Sequence, residues 1–289
     1  MTIDKLALGT VQFGIDYGIT NKHGRVSQQK ADPIIDHYCQ SVTAPLLDTA
    51  IEYGIAEQVI GRHLANGTAQ PGIVTKINCP AENMENEFKA SLGQLGVDQV
   101  YGLLVHDASV LMGYSGNKIL EKLKSFQDRG WVDKIGASVY GGHQIEAFLK
   151  FKELNLIQLP FSIFDDRLLT SGILGKLHAD GCEVHARSIF LQGIALMPSG
   201  HLPDFLSALN PSLEILDKHA IENEMSRLEL ALSFVLSQPT IDRIVVGVTS
   251  LQELEEILNA AKKIAQGQIV DISLKNIPHE LLDPRTWNQ

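Results

Sequence analysis

Asp48, Tyr53, Lys76 and His106 supply a carboxylate, a phenol, an ammonium and an imidazole, which brought together make a proton-transfer set. They lie at or just past the ends of three successive strand-like runs, 45–50, 72–78 and 100–106. Taken singly, each has an ordinary structural explanation. Asp48 can cap the following helix, Tyr53 can be a surface ring, Lys76 a solvated strand end, and His106 is one of ten histidines. Jointly they are harder to dismiss, because three strand ends in a row each deliver a different ionisable group. A phenol with a pKa near ~10 is a weak acid at neutral pH. An adjacent ammonium pulls it down by roughly 1–3 units, a carboxylate holds that ammonium in place, and an imidazole opposite can orient a carbonyl. Such a set suits protonation of a developing alkoxide, as in carbonyl reduction by an external hydride donor.

The elements that must position these groups alternate as short apolar runs and longer segments of helical period, the pattern of βα units and a parallel sheet. Eight strands are expected, at Lys5–Thr10, Pro45–Ala50, Ile73–Asn78, Tyr101–His106, Ile135–Val139, Leu156–Pro160, Glu183–Ser188 and Arg243–Val248. The clearest helices are Glu82–Leu95, Asn117–Gly130, His219–Ser237 and Leu251–Ala265. Eight such units predict an α/β fold, a single-domain (β/α)8 TIM barrel, in which C-terminal strand ends converge. A doubly wound open sheet is the alternative, but Gly9-Thr-Val-Gln-Phe-Gly14 lacks the G-x-G-x-x-G turn. The connections Gln12–Ser27, Asp107–Asn117 and Ile189–Leu216 exceed what a barrel needs and are expected to shape a pocket. The C-terminal tail, 266–289, is expected to fold over the active face.

The bulk properties narrow the partners. A 289-residue chain with 44% hydrophobic and 20% charged residues is long enough for one large domain. A net charge of -10 argues against nucleic acid as a partner. Three scattered cysteines fit no disulfide framework or zinc site, so no metal is expected. No signal core opens the sequence and no apolar stretch approaches the ~20 residues of a membrane helix. The expectation is a cytoplasmic protein without a membrane partner. Gly172-Ile-Leu-Gly175-Lys176 lacks the spacing and the Ser/Thr of a phosphate-binding Walker loop.

Asp48-Thr-Ala-Ile-Glu-Tyr53-Gly-Ile-Ala-Glu57, followed by Val59-Ile-Gly61, resembles the signature stretch of the aldo-keto reductases. Lys76 in Val-Thr-Lys and His106 in Leu-Leu-Val-His match the rest of that family's tetrad. The resemblance runs from Leu8 to about Leu258 and includes the opening Leu-Gly-Thr and the Ile135-Gly-Ala-Ser138 strand. It implies a (β/α)8 enzyme that reduces a small aldehyde, ketone or sugar-like carbonyl with a nicotinamide cofactor, and it leans towards a monomer. Tyr53 would be the general acid, tuned by Lys76, which Asp48 fixes, while His106 orients the carbonyl. Ser138 and Gln158 would hold the nicotinamide carboxamide, with Thr10 beside the ring.

The departures bear on the cofactor. Val139 stands where the family usually has Asn, and Arg187, followed by Ser188, stands where many members carry a Tyr that stacks on the nicotinamide. Arginine can stack on a ring or pair with a phosphate or carboxylate, and its partner is left open here. After the eighth strand, Gly247, Val248 and Glu253 occupy the positions where NADP-specific members grip the 2′-phosphate, with Thr249 and Glu256 in the same stretch. The family favours NADP(H); a carboxylate suits a free ribose hydroxyl better and leaves NAD(H) open. Backbone N–H groups from Gly247 to Thr249 can still bind a phosphate. Two competing functions remain in view. One is a Lys76 Schiff-base aldolase or lyase, disfavoured because pairing with Asp48 keeps the amine charged. The other is a nucleotide-binding regulatory subunit with little turnover.

Overall fold

A computed structural model of the chain describes residues 2–67, 69–113, 115–265, 272, 274 and 277–287. Eight parallel strands close into a barrel in chain order. They are β1 (Leu6–Gly9), β2 (Leu46–Asp48), β3 (Gly72–Ile77), β4 (Val100–Val105), β5 (Val132–Ser138), β6 (Leu156–Pro160), β7 (Glu183–Arg187) and β8 (Arg243–Gly247). Each expected strand is present, and β8 pairs back onto β1 with Gly9 opposite Gly247. Among the described residues, no helix is long and apolar enough to cross a membrane. Part of the expected covering tail, 266–271, 273, 275–276 and 288–289, lies outside the described residues.

One helix differs from expectation. His219–Ser237 is not continuous but divides into Asn210–Glu222 and Arg227–Leu236. Glu224 takes a left-handed backbone (φ 53°), which ends the first helix. Ser226 then opens the second with a capping box: its Oγ accepts from Glu229 N–H, and the Glu229 carboxylate accepts from Ser226 N–H (2.7 Å). The Ser-x-x-Glu signal outweighs the continuous apolar period around it.

Side chains on a strand alternate sides, so the residue two positions before an inward-facing one also faces inward. Stepping back two from Gly9, Asp48, Lys76, His106, Gln158 and Gly247 gives Ala7, Leu46, Val74, Leu104, Leu156 and Val245. These form a small cluster of their own inside the barrel, separate from the larger core between sheet and helices. The apolar layer is therefore the floor on which the polar strand ends stand. Two strands complete the layer differently. On β5, Gly136 has no room for a side chain, since a Cβ there would lie 1.6 Å from the Leu156 carbonyl oxygen.

On β7 the layer holds His185, fully buried, whose Nε2 donates to Glu183 Oε1 (2.6 Å). Lys134 pairs with the same carboxylate, and Tyr101 Oη donates to it (2.5 Å). Burial pushes the Glu183 carboxyl up, but the bonds from His185, Lys134 and Tyr101 outweigh it and hold it at about 2. A folded-state value below the ordinary ~4.3 means that this stabilisation is complete above that pH and is lost as pH falls towards 2. Glu183→Gln is expected to cost about 1–3 kcal/mol at neutral pH, because it weakens the acceptor that His185, Lys134 and Tyr101 share. Urea denaturation across acid pH checks this: the variant should lose part of the acid-dependent slope, and an unchanged slope would refute the assignment.

Candidate active site

The four tetrad candidates meet at the C-terminal mouth of the barrel. Lys76 is 1% exposed, an extreme for an ammonium group, and its Nζ donates to Asp48 Oδ1 (2.7 Å) and to the Thr49 carbonyl (2.8 Å). Burial pulls the Lys76 ammonium below the usual lysine range, against the opposing pull of Asp48. The second Asp48 oxygen accepts from Gln158 Nε2 (2.6 Å), and Thr10 Oγ1 donates to the Asp48 backbone carbonyl (2.9 Å).

Tyr53 is held by the turn after β2. Its N–H donates to the Ala50 carbonyl (3.0 Å), and Ile51 N–H is tied to the Lys76 carbonyl (3.1 Å). Gly54 takes φ 59°, and a Cβ on Gly14 would sit 1.6 Å from the Tyr53 carbonyl oxygen. Two glycines thus let the loop after β1 press directly onto the tyrosine's backbone. Lys76 Nζ lies 5.0 Å from the Tyr53 ring centroid, and the His106 ring meets Tyr53 edge-on at 5.7 Å. Burial, then the Asp48 carboxylate, push the Tyr53 phenol above its ordinary value; Arg187 pulls the other way. The expected lowering by Lys76 does not prevail, because Asp48 matches its charge at 2.7 Å. Burial and the Lys76 ammonium push His106 down to about 4, so its imidazole is neutral at physiological pH. Its Nδ1 is 2.8 Å from Glu52 Oε2, close but not aligned as a hydrogen bond.

A cavity of roughly 460 Å³ opens above these groups. Asp48, Tyr53 and His106 line it, as do Thr10, Ser138, Gln158, Arg187, Ser188, Gly247, Thr249, Glu253 and Glu256. Lys76 lies beneath the lining, and the Val248 side chain turns into the main core, leaving only its backbone for a ligand. Ser138 and Gln158 are opposite each other in the β5–β6 register, both buried, and Gln158 Oε1 has no partner. An orphaned buried acceptor beside a serine fits a carboxamide N–H2, so the nicotinamide expected from the sequence has a matching receptor.

The far end of the cavity departs from expectation. Thr249 N–H donates to Glu253 Oε2 (2.6 Å) and Thr249 Oγ1 to Glu253 Oε1 (2.9 Å), while Ser250 caps the helix Leu251–Ile264. The Thr249 N–H offered for a phosphate is already taken by this chain's own carboxylate. Arg187, whose partner was open, stacks over Tyr140 (3.9 Å from Cζ to ring centroid). Tyr140 was missed, although it follows Ser138 by two residues and so faces the same way. Gln12 and Gln192 were also missed. Gln12 leans over Gly247, and Gln192 ties the Ser188–Gly193 loop to Ile19 N–H (3.2 Å) and Thr20 Oγ1 (3.2 Å). Nothing local in the sequence marks either glutamine.

The buried pair predicts a specific non-additivity. Asp48→Asn strands the Lys76 ammonium and should cost about 3–5 kcal/mol, whereas adding Lys76→Met should recover part of that loss. Denaturant titrations of the two single variants and the double variant check this; strict additivity would show that the pair is not coupled.

Comparison with known proteins agrees with this geometry. The chain matches the model of the Aldo/keto reductase family over residues 5–274. It is 25% identical over 220 residues to the NADH-specific methylglyoxal reductase of Escherichia coli (strain K12). That match covers 67% of this chain and spans 66% of the length of that enzyme. Its fold is similar to that of the aldo-keto reductase AKR11C1 from Bacillus halodurans, in the holo form, with a TM-score of 0.73. Sequence identity there is 18%, covering 94% of each chain. With the family match running almost the whole length of a closed barrel whose mouth gathers these groups, the chain belongs to the aldo/keto reductase family.

Proposed function

We propose that the protein reduces a small aldehyde or ketone to the alcohol, with Tyr53 as the proton donor. The observation that carries this is the cluster at the barrel mouth: the Tyr53 ring centroid lies 5.0 Å from the Lys76 ammonium and 5.7 Å from the His106 ring, at the wall of one cavity. His106, neutral because burial and Lys76 hold it at about 4, donates a hydrogen bond to the carbonyl oxygen and fixes its lone pairs towards Tyr53. A bound nicotinamide supplies the hydride that the carbonyl carbon accepts. As that carbon is reduced, the oxygen becomes an alkoxide, a stronger base than phenolate, and takes the Tyr53 proton. The Lys76 ammonium and Arg187 stabilise the phenolate left behind, which recovers its proton from solvent. Ser138 and Gln158 hold the carboxamide.

The aldolase reading loses ground for a geometric reason. Lys76 Nζ is buried, engaged by Asp48 and Thr49, and set below the cavity lining, so no carbonyl carbon reaches it. Tyr53→Phe should lower kcat for carbonyl reduction by at least about 100-fold with little change in cofactor affinity. In the wild type, kcat should stay flat from about pH 5 to 9, since His106 titrates below that window and Tyr53 above it. Steady-state kinetics test both points. Full activity in the phenylalanine variant, or a break near the ordinary histidine value of ~6.5, would overturn these roles.

NAD(H) is the cofactor we favour over NADP(H). Glu253 and Glu256 line the cavity at the start of the last barrel helix, and Glu253 occupies the Thr249 N–H. A 2′-phosphate placed there meets carboxylates, whereas a ribose hydroxyl can donate to one. The relative named NADH-specific agrees in direction. Titration followed by intrinsic fluorescence should give NADH the smaller Kd, by roughly tenfold or more, the equivalent of ~1.4 kcal/mol. Tighter binding of NADPH would reverse the preference, and binding of neither would remove the oxidoreductase reading.

A further inference from the structure

Arg187 ends β7 on the inward side, two residues above His185. Its guanidinium reaches across β6 to the end of β5. There Nη2 donates to the Val139 carbonyl (3.0 Å) and Cζ lies 3.9 Å from the Tyr140 centroid. Arg285, from the C-terminal segment, stacks on the same ring at 3.5 Å. Two guanidinium groups that close to one centroid cannot share a face, so Tyr140 is sandwiched. The ring sets the plane of Arg187, and Nη1 donating to Ser188 Oγ (3.3 Å) sets its rotation.

The partners of Arg187 are all neutral. Lys76 has Asp48, and Arg285 has Asp283, its Nη2 at 2.7 Å from a carboxylate oxygen. No such ion pair holds Arg187 among the described residues. A guanidinium has five N–H donors, and two of these are used. A half-buried charge held flat, undersupplied with acceptors and facing a cavity is set up for an oxyanion, which Arg can grip with two parallel bonds. The cavity lining carries charge of both signs: Glu253 and Glu256 lie beyond β8, whereas Arg187 reaches across β6 to the end of β5, the strand that ends in Ser138.

We propose that Arg187 is the anion-recognition residue of the substrate pocket, and that the carbonyl compounds reduced here carry a carboxylate or phosphate positioned to reach its guanidinium. The proposal rests on the reductase reading above. It makes Arg187 a specificity-determining residue, with Tyr140 and Arg285 as its positioning residues.

The test compares 4-nitrobenzaldehyde, the three ring isomers of carboxybenzaldehyde and 4-formylphenyl phosphate, with NADH and with NADPH. In the wild type, the best anionic aldehyde should exceed the neutral one in kcat/KM by about 10- to 100-fold, the scale of a charged hydrogen-bonded pair. Which aldehyde is best separates carboxylate from phosphate. Arg187→Met should collapse that ratio, chiefly through KM, and Arg187→Lys should restore part of it. Because the ratio is the readout, any loss common to all substrates cancels. An unchanged ratio in Arg187→Met, or a wild-type preference for the neutral aldehyde, overturns the proposal. Calorimetric titration of 4-carboxybenzaldehyde into wild type and the lysine variant reads the anion site without turnover. If no aldehyde is reduced and neither cofactor binds, the reductase reading fails. Binding of 4-carboxybenzaldehyde that weakens in the lysine variant then still supports the anion site, and equal binding removes it.

Discussion

An ammonium group sealed inside a barrel sets the terms for everything around it. Lys76 cannot be buried at 1% exposure without an anion in contact, and Asp48 is that anion. Asp48 is then committed on every side. One oxygen takes Lys76 on β3, the other takes Gln158 on β6, and its backbone carbonyl takes both Thr10 Oγ1 and Thr10 N–H from the end of β1. A single residue thereby joins four strand ends. Its demands also explain why Gln158 Oε1 is the atom left without a partner: the amide nitrogen is engaged by Asp48, which fixes the flip of the group.

Below that level the barrel does not become uniformly apolar. Six strands contribute Leu, Val or Ala to the layer beneath the site, but β7 contributes His185 over Glu183, and β5 leaves a glycine with Lys134 beneath it. The polar groups complete one another: Glu183 accepts from His185, Lys134 and Tyr101, so three strands share one buried acceptor. The other ring nitrogen, His185 Nδ1, is buried without a partner. The same strand β7 carries Arg187 at its upper end, which makes one edge of the interior cationic and hydrogen-bonded while the rest is aliphatic.

Much of this was legible from strand periodicity alone. Eight apolar runs alternating with segments of helical period implied the barrel and put Asp48, Lys76 and His106 at its mouth, because alternation and strand ends are local properties. Tyr53 was legible from its offset of five residues from Asp48. The break at Glu224 was not, since apolar period continues across it and the Ser226–Glu229 box competes with that period only once the backbone turns. The partner of Arg187 could not be read either. Tyr140 and Arg285 lie far from it in sequence, and only closure of the barrel and docking of the C-terminal segment bring them together. Glu253 was legible as a carboxylate near the expected ribose, but its capture of the Thr249 N–H depends on the bend into the helix.

An aromatic ring has only two faces, and both faces of Tyr140 are occupied. One cation belongs to the barrel and the other to a segment about a hundred residues further along the chain. The seat of that segment and the placement of Arg187 therefore share one ring. Whatever steadies Arg187 against the ring also steadies the surface on which Arg285 rests, and undocking of Arg285 loosens the wall behind Arg187. Linkage of this kind is reciprocal. For any occupant that Arg187 contacts, the docking free energy of the C-terminal segment is then coupled to that occupant's binding free energy.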